Sequence, residues 1–138
     1  MFIDSSAFIA ILLDEPGATE LLLRLQEQRR KPITSPLVRY EVVMSLARSR
    51  AGGQSISPDD VELATSLFDG LVEKLGCQEV MVTPKVGRFA VEASSIYGQM
   101  AGHPAKLNMG DCLSYATAKS NNVPLLYVGN NFAETDLA

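Results

Sequence analysis

Four acidic residues stand at positions suited to cutting a phosphodiester bond. Asp4 follows the apolar run Met1-Phe2-Ile3, Glu41 sits inside an apolar stretch of helical character, Asp111 opens another helix, and Asp136 lies near the C-terminus. Carboxylates in apolar surroundings are costly to bury and are seldom kept there without a cation or a partner. A divalent metal that prefers hard oxygen ligands, such as Mg²⁺, is the most economical reason to gather several of them.

Each of the four also has a plain structural explanation. Asp4 can serve a helix start as cap or N-terminal charge, an effect of about 1 kcal/mol, although Ser5 and Ser6 are able to do the capping. Glu41 has Leu37, Val38, Met44 and Ser45 three and four residues away, with Val42, Val43, Leu46 and Ala47 filling the rest of its helix. A helix apolar nearly all round is buried, so Glu41 is desolvated on at least one side. Arg39 or Arg48 could pair with it, but Arg48 is two turns distant and leaves no cation at the favoured spacing. Asp111 follows Gly110 at a helix start, where negative charge is welcome in any case, and Ser114 and Tyr115 share its face. Asp136 makes the weakest claim, since charges near a terminus are usually just solvated. Taken together, the four fall at strand ends or helix starts, which is harder to assign to chance.

The elements that must position them are readable from caps and breakers. Phe2-Ile3 is a short strand, followed by a helix over Ala7 to Leu13; Pro16-Gly17 breaks the chain before a leucine-rich helix from Ala18 to Arg29. Pro32-Ile33-Thr34 is a second strand, and Ser35-Pro36 opens a helix from Leu37 to Ala51, stopped by Gly52-Gly53. Ser57-Pro58 starts a helix to Leu75, Glu79 to Thr83 reads as a third strand, and a helix follows over Lys85 to Met100. Gly110-Asp111 begins the helix to Asn121, and Val123 to Val128 is a fourth strand. Strands alternating with helices predict an α/β fold with a mostly parallel sheet, one domain over residues 1–138. Ligands of such sheets bind at the carboxyl ends of the strands, where Asp4 lies.

Composition narrows the partners. A net charge of −4 argues against coating nucleic acid by bulk attraction. A local basic run (Arg24, Arg29-Arg30-Lys31, Arg39, Arg48, Arg50) reads either as a solvated face or as a phosphate-contacting rim. The apolar run Ala7 to Leu13 is too short to span a bilayer, no basic leader precedes it, and Cys77 and Cys112 form no metal-type pair, so a cytoplasmic setting with reduced thiols is expected. Cys112 beside Asp111 could be a reactive thiol but is better explained as a small buried side chain. A single histidine, His103, excludes a metal-free ribonuclease mechanism that needs two. Met44, Met81, Met100 and Met109 follow no helical period and are expected as core or interface filler. Phe8, Leu12, Leu13 and the leucines of the second helix exceed the needs of one small core and face either it or a partner.

With these residues in place the chain resembles the PIN-domain ribonucleases, in particular the VapC-type toxins of bacterial toxin–antitoxin pairs. The resemblance rests on four blocks in order: Met1-Phe2-Ile3-Asp4-Ser5-Ser6-Ala7, the Glu41 helix, Leu107-Asn108-Met109-Gly110-Asp111-Cys112, and Leu125 to Phe132 continuing through Thr135-Asp136. It implies a three-layer α/β/α sandwich whose acidic pocket binds Mg²⁺, or Mn²⁺, and cuts RNA. Asp4, Glu41 and Asp111 would be the metal-binding acids, with Ser6 close by. A small VapB-like antitoxin and a homodimer are implied as partners. One departure stands out: Asn131 occupies the place where such proteins commonly carry a fourth aspartate. An amide keeps an oxygen but loses the charge, and Asp136 could partly stand in. Asn131 also supports the alternative of a catalytically weakened PIN-like module that only binds an antitoxin. A dehalogenase-type phosphatase would want an aspartate where Ser6 stands, and a receiver domain would want an aspartate after the third strand, where Thr83-Pro84 stands; both fit poorly.

Overall fold

The computed structural model describes residues 1–137. Four short strands and six helices alternate: β1 (Phe2–Ile3), α1 (Ser5–Leu12), α2 (Ala18–Gln26), β2 (Ile33–Thr34), α3 (Pro36–Ala51), α4 (Pro58–Leu75), β3 (Gln78–Glu79), α5 (Pro84–Tyr97), α6 (Met109–Ser120) and β4 (Leu125–Leu126), with a 3-10 turn at Gln99–Ala101. The cap-plus-proline signals do what their chemistry dictates. Ser35 and Thr83 each accept a hydrogen bond from the N–H three residues on, with Pro36 and Pro84 at the first helical position. Ser57 and Asp60 cap each other reciprocally at the start of α4, and Gly52 and Gly76 end α3 and α4 in the left-handed conformation.

The sheet order is β3-β2-β1-β4 and every pairing is parallel, with Phe2 opposite Ile33 and Leu125, and Ile3 opposite Leu126. Parallel strands need crossover helices, and crossovers are right-handed. The chain steps from β1 to β2 to β3 in one direction, which puts α1 to α4 on one face. It then returns across the sheet to β4, which puts α5 and α6 on the other. The packing follows this division: α1 lies against α2, α3 and α4, α3 against α4, and α5 against α6. The result is the expected α/β/α sandwich. Phe2, Ile3, Phe8, Phe68 and Leu126 are fully buried at its centre, and the Phe8 and Phe68 rings meet at 5.0 Å. Each such side chain contributes about 1.5–3 kcal/mol by leaving water.

Several boundaries differ from expectation for identifiable reasons. Helix α1 begins at Ser5 because Asp4 itself is the cap. The third strand is Gln78–Glu79 rather than the apolar run Val80-Met81-Val82. Val80 N–H takes the last available bond, to Thr34 C=O at 2.9 Å, and β2 then turns into α3 and offers nothing more to pair with. Met81 is consequently 79% exposed, and Met100 and Met109 are exposed too, so only Met44 of the methionine set is even partly buried. No helix among the described residues is long and apolar enough to cross a membrane.

Candidate active site

The strand order reverses between β1 and β4, and open parallel sheets bind ligands in the crevice at the carboxyl ends of such a switch point. Asp4 is the first residue past β1 and is buried, 4% exposed. Its Oδ2 accepts hydrogen bonds from the Ser6 N–H at 3.0 Å and the Ser6 hydroxyl at 2.6 Å. Ser6 Oγ in turn accepts from the Val128 N–H at 3.0 Å, just past β4. Ser6 therefore ties the carboxylate of one strand end to the backbone of the other. Asp4 thus fills the cap role expected of it at the start of α1.

Two further acids approach this crevice from opposite layers. Helix α3 leaves the end of β2 and presents Glu41 from its second turn. Helix α6 runs back toward β4, so its N-terminus returns to the same edge and carries Asp111. Burial is the main cause pushing the Glu41 carboxyl above its ordinary value; the charges of Asp4 and Asp111 push the same way and the Ser5 hydroxyl opposes them. Asp111 is also raised, chiefly by burial and further by the charge of Asp4, against the Asn108 N–H and the Asn131 amide. These mutual influences put the three acids in one neighbourhood. Among the described residues no cation pairs with them. Arg39, a possible partner for Glu41, is committed to Asp69 at 2.5 Å and Glu79 at 2.6 Å, and Arg48 forms no ion pair among the described residues.

The remaining expected residues divide. Asn131 Nδ2 donates to Asp111 Oδ2 at 3.3 Å, so in this arrangement its amide supports an ionised Asp111 instead of offering it a second negative group. Asp136 does not join the three. The Tyr115 hydroxyl donates to its Oδ1 at 2.6 Å and Lys119 pairs with its Oδ2, which together hold its carboxyl below the ordinary value. A cation and a phenol each engage one of its oxygens, which ties Asp136 to α6 and away from the other three acids. The basic run fares similarly as a phosphate rim. Arg50 pairs with Asp60, and Arg29-Arg30-Lys31 precede β2 at the opposite end of the sheet, where Arg30 acts on the Met1 amino group. His103 is packed edge-on to Tyr97 at 5.1 Å with Nδ1 accepting from the Ala105 N–H, and Cys112 is buried with its thiol pushed up by burial.

The chain matches the PIN domain family over residues 1–137. It is 42% identical to a VapC ribonuclease of Rhizobium meliloti over 99% of this chain and 98% of that protein. The chain belongs to the VapC family of PIN domains. A second relative, ribonuclease VapC42 of Mycobacterium tuberculosis, is 34% identical over 99% of this chain and 96% of its own length. Among solved structures, the VapC20 toxin of Mycobacterium tuberculosis, described as cleaving the sarcin–ricin loop, superposes with a TM-score of 0.65 over 96% of this chain and 92% of that one at 17% identity. A toxin–antitoxin complex from Klebsiella pneumoniae gives 0.62 over 99% and 92% at 14% identity. At those identities the likeness speaks for the fold.

In this VapC-family domain the donor set is carboxylate and hydroxyl oxygen throughout, the chemistry of a hard divalent cation. As oriented, no three His, Cys, Asp or Glu side chains among the described residues already clasp one position. Local donors hold two of the acids: Asp4 accepts from Ser6, and Asp111 from the Asn108 N–H at 2.9 Å. Two contributors escaped the sequence reading. Asn108 caps α6 and fixes Asp111 by reciprocal bonds, a signal present in the Asn-x-x-Asp spacing. Gly110 lies directly against the Glu41 carboxylate.

Proposed function

We propose that this chain is an endoribonuclease that hydrolyses RNA phosphodiester bonds with Mg²⁺, or Mn²⁺ in its place, held by Asp4, Glu41 and Asp111, and that it acts as the toxin of a toxin–antitoxin pair. The observation that carries this is three half-buried to buried carboxylates at the sheet's switch point, of which Glu41 and Asp111 have raised proton affinity, with no ion pair to a cation among the described residues. Such an arrangement is unfavourable for the protein alone and suits a site that binds positive charge from outside. When bound, the cation would act as a Lewis acid on a phosphate oxygen and orient the attacking water. The protein's share is positioning. Ser6 locks Asp4 to the β4 end, the Asn108 N–H and the Asn131 amide position Asp111, and burial of Glu41 keeps bulk water off one side.

Partners follow from the same family. A VapB-like antitoxin has an apolar cleft of about 510 Å³ to occupy, lined by Ile11, Leu12, Leu22, Leu25, Leu71 and Leu75, with Leu13 and Leu23 exposed beside α1 and α2. An amphipathic helix laid in a groove is the recognition mode that fits. A homodimer is proposed as well, to be read from the solution mass of the chain without antitoxin. An RNA substrate implies action in the cytoplasm.

The test is cleavage of RNA by the purified chain with Mg²⁺ or Mn²⁺, with EDTA as control and Asp4→Asn alongside. Cutting that needs the cation and fails in Asp4→Asn is the expected result. Cutting that persists in EDTA, or that Asp4→Asn leaves intact, overturns the site. Tight antitoxin binding with no cleavage under any cation would favour the weakened module.

A further inference from the structure

Gly110 holds the second position of α6, between the Asn108 cap and Asp111. Its backbone gives no reason for glycine: it is absent from the residues with positive φ, and glycine weakens a helix relative to alanine. The reason lies in its neighbour. A β-carbon built on Gly110 would fall inside the Glu41 carboxylate, 3.0 Å from Cδ, and 3.3 Å from Asn108 Oδ1. We infer that Gly110 is a positioning residue: its missing side chain lets Glu41, arriving from α3, lie against the first turn of α6 beside Asp111.

A second glycine shows what a merely architectural requirement looks like. A β-carbon on Gly98 would run into the Ser94 backbone, with Cα and C each at 3.0 Å. Main chain inside α5 cannot move aside without loss of the helix end. The obstacle at Gly110 is instead the tip of a flexible side chain that can swing away. Substitution there should spare the fold and displace Glu41, the acid that closes the group over Asp4 and Asp111. The inference rests on the proposed metal role of these acids, and it deepens that role by naming what fixes the third ligand in place.

Gly110→Ala, made in the full chain, tests it by two readouts. Thermal unfolding in EDTA should stay within a few degrees of the parent or rise, whereas Gly98→Ala should melt clearly lower. Affinity for Mn²⁺ alone, by calorimetry, should fall ~10-fold or more, the scale on which supporting groups act on metal sites. Glu41→Asp withdraws the carboxylate by one methylene and makes room for the new methyl group. It should therefore weaken Mn²⁺ binding in the parent but strengthen it in the Gly110→Ala background. Parental Mn²⁺ affinity in Gly110→Ala, or an equal Glu41→Asp effect in both backgrounds, overturns the inference and leaves the metal reading standing. If the parent itself binds no Mn²⁺, the metal reading falls. A metal-free crystal structure of Gly110→Ala then decides: a Glu41 carboxylate moved by ~1 Å or more, a shift large enough to matter catalytically, upholds the positioning role, and an unmoved one overturns it.

Discussion

Asp111, Tyr115 and Lys119 follow one another at four-residue intervals along a single stripe of α6, yet the two ends of that stripe have opposite electrostatics. At the N-terminal end Asp111 lies near Asp4 and Glu41 with no ion-paired cation among the described residues, and burial and like charge raise the carboxyls of Glu41 and Asp111. At the other end Asp136 meets Lys119 and the Tyr115 hydroxyl, and its carboxyl is lowered while the phenol is pushed up to about 12, chiefly by burial. An acid whose partners are complete is part of the protein's own cohesion. Acids gathered with no ion-paired cation among the described residues are what the proposed cation binding requires. Helix position alone could not make this distinction, because both clusters sit where a carboxylate is acceptable.

The sharpest way to break the contrast is to remove one acid from each end. Asp111→Asn should lower metal-dependent RNA cleavage by ~10²-fold or more, a loss that even a 1 Å misplacement of a reacting group can cause. Asp136→Asn, measured in the same assay, should leave cleavage within a few-fold of the parent. Equal losses from both would dissolve the division into a chemical end and a structural end. Stability should rank the other way. Asp136→Asn gives up the Lys119 pair and weakens the Tyr115 bond, and because Asp136 is half exposed the cost is about 1 kcal/mol in urea unfolding. Asp111→Asn removes a like charge from a crowded corner, so in EDTA the metal-free chain should unfold no more easily than the parent.

Most of the architecture was legible because caps act locally. Ser35-Pro36, Ser57-Pro58 and Thr83-Pro84 each fix a helix start through the nearest few backbone N–H groups, and no tertiary contact is needed to read them. The third strand was misplaced because strand pairing is decided by the neighbour: Val80-Met81-Val82 is the more β-like run, but β2 ends before it can be paired. The grouping of Asp4, Glu41 and Asp111 was proposed from their placement together with the family resemblance. The fate of Asp136 was not, because its partners Tyr115 and Lys119 are 21 and 17 residues distant and no spacing rule links them. Gly110 went unread for a similar reason. A glycine at the start of a helix resembles a tolerated weakness until the opposing carboxylate is seen.

The smallest expected effect is also the one that tests the contrast most directly, since it reads charge instead of function. Asp136 has a folded carboxyl below its ordinary value of 3.8, so its contribution to stability is complete above that pH and is lost as pH falls through the lowered value. Glu41 and Asp111 have folded carboxyls above their ordinary values of 4.5 and 3.8. The folded chain holds those protons more tightly than the unfolded chain does, so stability declines as pH rises from the ordinary values through the raised ones. Urea unfolding of the metal-free protein in EDTA, followed across acid to neutral pH, should therefore show two flanks with separate owners. Asp136→Asn should lessen the loss on the acid flank, to which Asp60 with its Ser57 bonds also contributes, and Asp111→Asn should lessen the decline on the higher flank, which it shares with Glu41. Added Mn²⁺ should reverse that second decline in the parent, because a bound cation turns the repulsion among the three acids into shared attraction. A parent whose stability ignores Asp111→Asn across this range would mean that the carboxylates are already relieved within the chain, and the unpartnered end of α6 would lose its distinction.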